Sequence, residues 1–464
     1  MSVLAILISL GLLMYGAYRG LSVLVLAPVL AAFAVMISGD LPWMGTYTQI
    51  FMAALGKFAV KYFPIFLMGS IFGKLMEVTG FARSVAQGFL KVFGHSRAIL
   101  AIVLSCGLLT YGGVSAFVVV FTIYPLASAL FWEVKMPKRL IPGAIAMGAF
   151  TFSMTALPGN AQIHNLIPMS YFGTTAFAAP VLGGVAGLCM FVLGSLWLQK
   201  RVRDARSCGE GYGYEQEFSE RQNAKPISFL LAVAPIVLVI ASNYLLSEQI
   251  IPTWETDYLQ TAKFGGIELS KVLGIWSMLM ALALGILLLF LYMISKTNLR
   301  KKLAESINAG AMGSLLPTFN TAAEVGYGAT IASLAGFALI RDGIFSVSPG
   351  SPLLAEVLSI NVLAGITGSA SGGLSIALEA LGDQFIALGQ AAGISNEYLH
   401  RVASLSSGGL DTFPHNGAVI TLLTVCGLTH KESYKDIAVV SLVIPLVVTV
   451  TLVGLGSLLG VFSS

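Results

Sequence analysis

Two polar, glycine-rich strings interrupt long apolar segments of this chain, Thr110-Tyr111-Gly112-Gly113-Val114-Ser115 and Thr367-Gly368-Ser369-Ala370-Ser371-Gly372-Gly373. Both offer hydroxyls and backbone N–H groups that could hold a small polar ligand. Two further strings, Pro158-Gly159-Asn160-Ala161-Gln162-Ile163 and Pro414-His415-Asn416-Gly417-Ala418-Val419, each put a proline in the middle of an apolar segment. Proline removes a backbone donor, and the neighbouring Gly and Asn tolerate non-helical angles, so a helix should break at each. Groups freed by a break inside a membrane must line a cavity or hold a ligand. Asn160, Gln162 and Asn416 could therefore bind a ligand, or Asn160 and Asn416 could satisfy the carbonyls beside the prolines. Three ionisable residues also fall in apolar surroundings: Glu324 inside Asn320-Thr321-Ala322-Ala323-Glu324-Val325-Gly326, and Asp411 and His415 flanking the second break. Such groups are costly in a membrane and mark ion or proton pathways by default. A buried carboxyl that exchanges a proton suits a proton carrier, whereas an ionised Asp411 beside freed carbonyls suits sodium. The plainer readings are a structural partner to a broken helix or to Lys57 for the ionisable groups, and close helix packing for the small residues. His164 reads equally as a packing histidine.

The elements that must position these groups are membrane helices. Charged residues form 10% of the 464, against about 25% in ordinary soluble domains, and the mean hydropathy is +0.85. Runs such as Phe177 to Leu198, Ile227 to Leu246, Val272 to Ile294 and Ile437 to Phe462 approach or exceed the roughly 20 residues that cross a hydrocarbon core. The net charge of +4 comes from short basic clusters between spans, which reflect topology rather than nucleic-acid binding. Placing those clusters in the cytoplasm puts both termini on the outer side. The first segment, Val3 to Ala17, lacks the basic start and small-residue cleavage site of a signal peptide and reads as a retained span. Four cysteines show no metal-ligand spacing, and the sequence implies no cofactor.

Residues from Lys74 to Arg97 read as an amphipathic helix in the cytoplasmic interface. Two segments, about 98–132 and 353–392, are expected to return to their own side as re-entrant hairpins with the polar strings at their tips. Broken helices are expected at about 140–167 and 398–428, and a long span from about Ala304 to Ile340. The polar stretch 200–226 reads as a cytoplasmic linker between halves 1–199 and 227–464, with its charges of both signs in solvent. Pro158 and Pro414, like Asn160 and Asn416, stand 256 positions apart, and the deduced orientations of the two halves are opposite. The predicted fold is all-α and polytopic, with two inverted repeats, about ten membrane spans, two hairpins and two broken helices, an arrangement common in secondary transporters.

The string Gly107 to Gly113, together with Thr155-Ala156-Leu157-Pro158-Gly159, Ile167-Pro168 and Phe172-Gly173-Thr174-Thr175, resembles the gluconate permease family of the ion transporter superfamily, nearer its hydroxybutyrate branch. The resemblance implies a homodimeric elevator in the cytoplasmic (inner) membrane. It further implies import of a small hydroxy-monocarboxylate such as 3-hydroxybutyrate, coupled to protons or sodium, with gluconate or a related sugar acid as the alternative. A carboxylate would then be held by the tips and breaks, through Thr110, Tyr111, Gly112, Gly113, Ser115, Asn160, Gln162, Thr367, Ser369, Ser371, Gly372 and Asn416. Helix amino ends at the tips add partial positive charge. Glu324, Asp411 and His415 would serve coupling, with sodium near Asp411. A channel would share the glycine-rich breaks without alternating access. An intramembrane enzyme could pair Ser115 with His164, but no catalytic signature surrounds them, and the protein is not expected to be an enzyme.

Overall fold

The computed structural model describes residues 1–19, 21–94, 97–213, 227–347, 351–414 and 416–462. Helices α1 (Ser2–Tyr18) and α2 (Val23–Ser38) form an opening pair, with Ser22 capping α2 by accepting from the Leu24 N–H. A rod of 36 residues, α3 (Trp43–Val78), follows. Helix α4 (Phe81–Phe93) is strongly amphipathic and buries Phe81, Val85 and Gly88 while leaving Val92 exposed. The interfacial helix is thus shorter than the expected 74–97, because α3 continues as far as Val78 and carries Lys74.

Two helices joined by a short turn, α5 (Ala98–Tyr111) and α6 (Ala116–Glu133), form the first hairpin. The first broken element comprises α7 (Ile141–Ala149), a π turn over Phe152–Ala156, an irregular stretch at 157–162, and α8 (Ile163–Phe172). Next come α9 (Pro180–Ser207), α10 (Phe229–Thr253) and α11 (Ser270–Ser295). The segment expected as one span from about Ala304 to Ile340 is instead α12 (Leu303–Ser333) and α13 (Ala335–Val347), bent at 94°. Leu334 is extended at φ −78° and ψ 140°. The α13 amino end is held by α1 and the loop after α2, through Gly336 N–H to Ser2 Oγ (2.9 Å) and Ala335 N–H to Asp40 Oδ2 (3.2 Å).

The second hairpin pairs α14 (Pro352–Thr367) with α15 (Ala370–Ala391), and the second broken element pairs α16 (Asn396–Ser407) with α17 (Gly417–Val425). The long helix α18 (His430–Leu458) follows. The helices of the two pairs are separated at 112–115 and 368–369, and those of the second broken element at 408–416. The second turn is tighter than expected, only Gly368 and Ser369, so Ser371, Gly372 and Gly373 belong to the first turn of α15.

Among the described residues six helices are long and apolar enough to cross a bilayer, namely α3, α6, α9, α10, α11 and α18, and the bent α12–α13 pair makes a seventh. This is fewer than the expected ten. Helices α1 and α2 have 17 and 16 residues, and each broken element is split into pieces too short to count. Helix α6, one arm of the first hairpin, has 18 residues and is itself long enough. The expected solvated linker is also partly helical. Helix α9 runs on to Ser207, and Arg201 bonds Asp436 of α18 at 2.7 Å. Arg139 likewise meets Glu210 at 2.6 Å, and the remainder of the linker, 214–226, lies outside the described residues.

The core runs along the contact between α3 and α12. A Cβ on Gly310 would stand 2.8 Å from the Cα of Ile71, and one on Gly326 would stand 2.8 Å from the carbonyl oxygen of Phe51. Only glycine lets the two rods approach so closely, and that approach fixes the depth at which Glu324 projects.

Candidate functional site

The two turns and the two breaks meet at one cavity of about 640 Å³. Its wall includes Gly113, Ser115 and Ala116 from the first hairpin and Thr367 through Ser371 from the second. The breaks contribute Ala161, Gln162, Ile163 and His164, and Asp411, Thr412, Asn416 and Gly417. Helix α12 adds Asn320, Thr321 and Glu324. The amino ends of α6, α8, α15 and α17 therefore all open on one space. Among the described residues no Lys or Arg lines it, and the acidic side chains in its wall are Glu324 and Asp411.

Each break is built around an asparagine. Asn160 Oδ1 accepts from the Gln162 N–H at 3.0 Å while its Nδ2 donates to the Leu157 carbonyl at 2.6 Å. Asn416 Oδ1 accepts from the N–H groups of Ala418 and Val419 at 2.7 and 2.9 Å, and its Nδ2 donates to the Gly368 carbonyl at 2.9 Å. Both asparagines thus accept from the N–H two residues on, and the second also ties its break to its hairpin. In the first half that tie belongs to Gln162, whose Nε2 donates to the Thr110 carbonyl at 2.6 Å. Tyr111 adds a second tie, its hydroxyl donating to the Pro158 carbonyl at 2.7 Å.

Glu324 is 2% exposed. The Ser369 hydroxyl donates to its Oε2 at 3.4 Å, and Ser371 Oγ lies 3.4 Å from Ser369 Oγ and 3.3 Å from Thr321 Oγ1. A Cβ on Gly372 would fall 2.1 Å from Glu324 Oε2, so a glycine is required for the carboxyl to lie against the start of α15. Asp411 is also buried, and its Oδ1 has no hydrogen-bond partner. A carboxyl without a fixed counter-ion in such a place can exchange a proton or face a cation.

Of the residues singled out in the sequence, Gly113, Ser115, Gln162, Thr367, Ser369, Ser371, Asn416, Glu324 and Asp411 come together on the cavity wall. Thr110, Tyr111, Gly112, Asn160 and Gly372 stand behind it. Gly112 faces away, since a Cβ there would meet Ile236 Cγ2 at 2.6 Å. His415 lies outside the described residues. The sequence reading missed a support formed by α16. Arg401, fully buried, donates to the carbonyls of Ala156, Ala176 and Ala178 at 2.9 to 3.3 Å. Beside it His400 joins Thr174 Oγ1 (2.6 Å) to Asn165 Oδ1 (3.1 Å), and Ser404 donates to the Thr155 carbonyl at 2.8 Å. The rule that picks out intramembrane charges applies to Arg401, which falls inside the expected broken segment at about 398–428.

A polytopic bundle that gathers broken helices and hairpins around a central polar cavity is the architecture of a membrane transporter. Solved structures agree in fold. The YdaH transporter of Alcanivorax borkumensis superposes with a TM-score of 0.58 at 16% identity, covering 89% of each chain. MtrF of Neisseria gonorrhoeae, described as illuminating a class of antimetabolite efflux pumps, gives 0.51 at 14% identity over 87% of this chain and 83% of that one. The family profile for GntP family permeases matches residues 1–319, and the Bacillus subtilis (strain 168) uncharacterized transporter YxjC is 44% identical over 458 residues, 96% of each chain. The chain belongs to the GntP permease family, whose members are transporters.

Proposed function

We propose that the protein is a secondary active symporter that imports a small hydroxy-monocarboxylate such as 3-hydroxybutyrate with protons. The observation that carries this reading is the cavity wall: four helix amino ends, several hydroxyls and two buried carboxyls, with no Lys or Arg among the described lining residues. Amino ends and hydroxyls can hold an anion by hydrogen bonds while leaving it free to depart. Glu324 and Asp411 supply sites where a proton can ride with it, and sodium at Asp411 is the alternative coupling ion. We take the halves to be inverted repeats, because Asn160 and Asn416 serve their breaks alike. In this reading the hairpins and broken helices move together as an elevator, since Arg401, His400 and Ser404 fasten α16 to the flanks of the first break. The protein acts as a homodimer in the cytoplasmic membrane, with both termini outside.

The test is uptake by the purified protein in liposomes, with labelled 3-hydroxybutyrate, gluconate, lactate and succinate offered in parallel. The reading expects saturable uptake of 3-hydroxybutyrate with the highest kcat/KM. Preference for gluconate would reassign the substrate to a sugar acid, and preference for succinate would overturn the monocarboxylate reading.

A further inference from the structure

Resting on that reading, we propose that the cavity is divided by charge: the substrate carboxylate binds the amino ends of α6 and α8, from the first half, and the second half keeps the coupling cation. The four amino ends are not equivalent. Those of α15 and α17 already have acceptors, because Ser369 Oγ accepts from the Gly372 N–H at 3.0 Å and Asn416 Oδ1 accepts from two N–H groups of α17. Helices α6 and α8 begin at Ser115 and Gln162, and neither residue caps its helix through a side chain. In α8 the Asn165 N–H turns back to the Gln162 carbonyl at 2.9 Å, which leaves the N–H groups of Ile163 and His164, with those of the first turn of α6, for a ligand.

Electrostatics points the same way. Glu324 lies against the start of α15 and Asp411 precedes α17 in the second break, so an anion near either meets a carboxyl whenever that group is ionised. Among the described residues the first-half wall contains no Asp or Glu. A second, independent feature marks that side as a ligand site. His164, in the first turn of α8, lines the cavity, is only 9% exposed, and has no partner for Nδ1. Buried polar atoms of this kind normally have partners, and a bound carboxylate would give the imidazole one. The arrangement keeps substrate and cation close enough to attract each other without sharing ligands.

The experiment measures binding of 3-hydroxybutyrate and of gluconate to the purified full-length protein, with melting temperature recorded for every variant. Ser115→Asp places an acceptor and a negative charge at the start of α6, and it is expected to weaken binding of the preferred anion about tenfold or more, given what such end charges contribute. His164→Leu should weaken it similarly, with His164→Gln, which keeps a donor, restoring most of the affinity. Wild-type affinity in folded Ser115→Asp, or in His164→Leu should Ser115→Asp not fold, overturns the division of the cavity. Failure of the wild type to bind either anion would instead overturn the carboxylate reading on which the division rests.

Discussion

Gln162 donates through Nε2 to the carbonyl oxygen of Thr110 at 2.6 Å, and this bond ties the first helix break to the first hairpin. Asn416 does the same for the second half, donating to the Gly368 carbonyl at 2.9 Å. In a membrane interior with no competing water, these bonds hold each turn beside its break, so the four amino ends stay around one cavity.

Gln162→Leu removes the tie and leaves the Thr110 carbonyl without that donor. That carbonyl still accepts from the Gly113 N–H at 3.0 Å, so the loss is that of one hydrogen bond, about 0.5–1.5 kcal/mol. The variant should melt below the wild type in detergent and lose most of its uptake. Unchanged uptake in liposomes would show that the hairpin needs no such bond.

Gly372→Ala puts a Cβ 2.1 Å from Glu324 Oε2, and Gly373→Ala puts one 2.1 Å from the backbone nitrogen of Ala364. Both should abolish uptake, the second through failure of the hairpin to close. Gly417→Ala meets nothing within 4 Å and should be tolerated. Comparing expression and uptake of the three variants checks the packing directly.

Glu324→Gln and Asp411→Asn keep shape while removing the charge. In a symporter that carries its proton on these groups, each should reduce uphill accumulation at least tenfold while exchange of labelled for unlabelled substrate continues. Loss of both activities together would assign the carboxyls to substrate binding rather than coupling.

Arg401→Lys replaces five donors in a planar fork by one flexible ammonium, which cannot reach three carbonyls at once. The loss should be about 3 kcal/mol or more, in line with other disrupted buried charge networks. Thermal unfolding of Arg401→Lys and Arg401→Leu measures it, and a melting temperature equal to wild type would remove α16 from the account as the support of the first break.

The Arg139 guanidinium hydrogen-bonds Glu210 outside the membrane spans and holds that carboxyl below its ordinary range. A depressed carboxyl stabilises the folded state above its unfolded pKa, near 4.3, and that contribution disappears as pH falls through the lower folded value. Glu210 is partly exposed, so the effect is small. The melting-temperature difference between wild type and Glu210→Gln should therefore hold from pH 7 to pH 5 and vanish in stronger acid. A difference that grows on acidification would contradict the pairing.

Much of this arrangement was legible in the residues themselves. Proline and glycine inside apolar runs located both breaks and both turns, because their backbone effects are local. Glu324 and Asp411 stood out because charge in an apolar span is rare. Long-range partners were not legible. Nothing in Arg401 announces that its guanidinium reaches carbonyls more than 220 positions away, and nothing in Asn160 and Gln162 says that the tie to the hairpin passes to the glutamine. The bend at Leu334 escaped for the same reason, since it depends on contacts with Ser2 and Asp40, and the span count came out high because apolar length alone does not tell a short paired helix from a full crossing.

The most direct test of the central claim is accumulation of labelled 3-hydroxybutyrate in liposomes holding the purified protein, with an imposed inward proton gradient and no other driving force. Transient accumulation above the external concentration is expected, abolished by a protonophore and by Glu324→Gln or Asp411→Asn. Equilibration without accumulation under either a proton or a sodium gradient, or conduction at ion-channel rates, would contradict it.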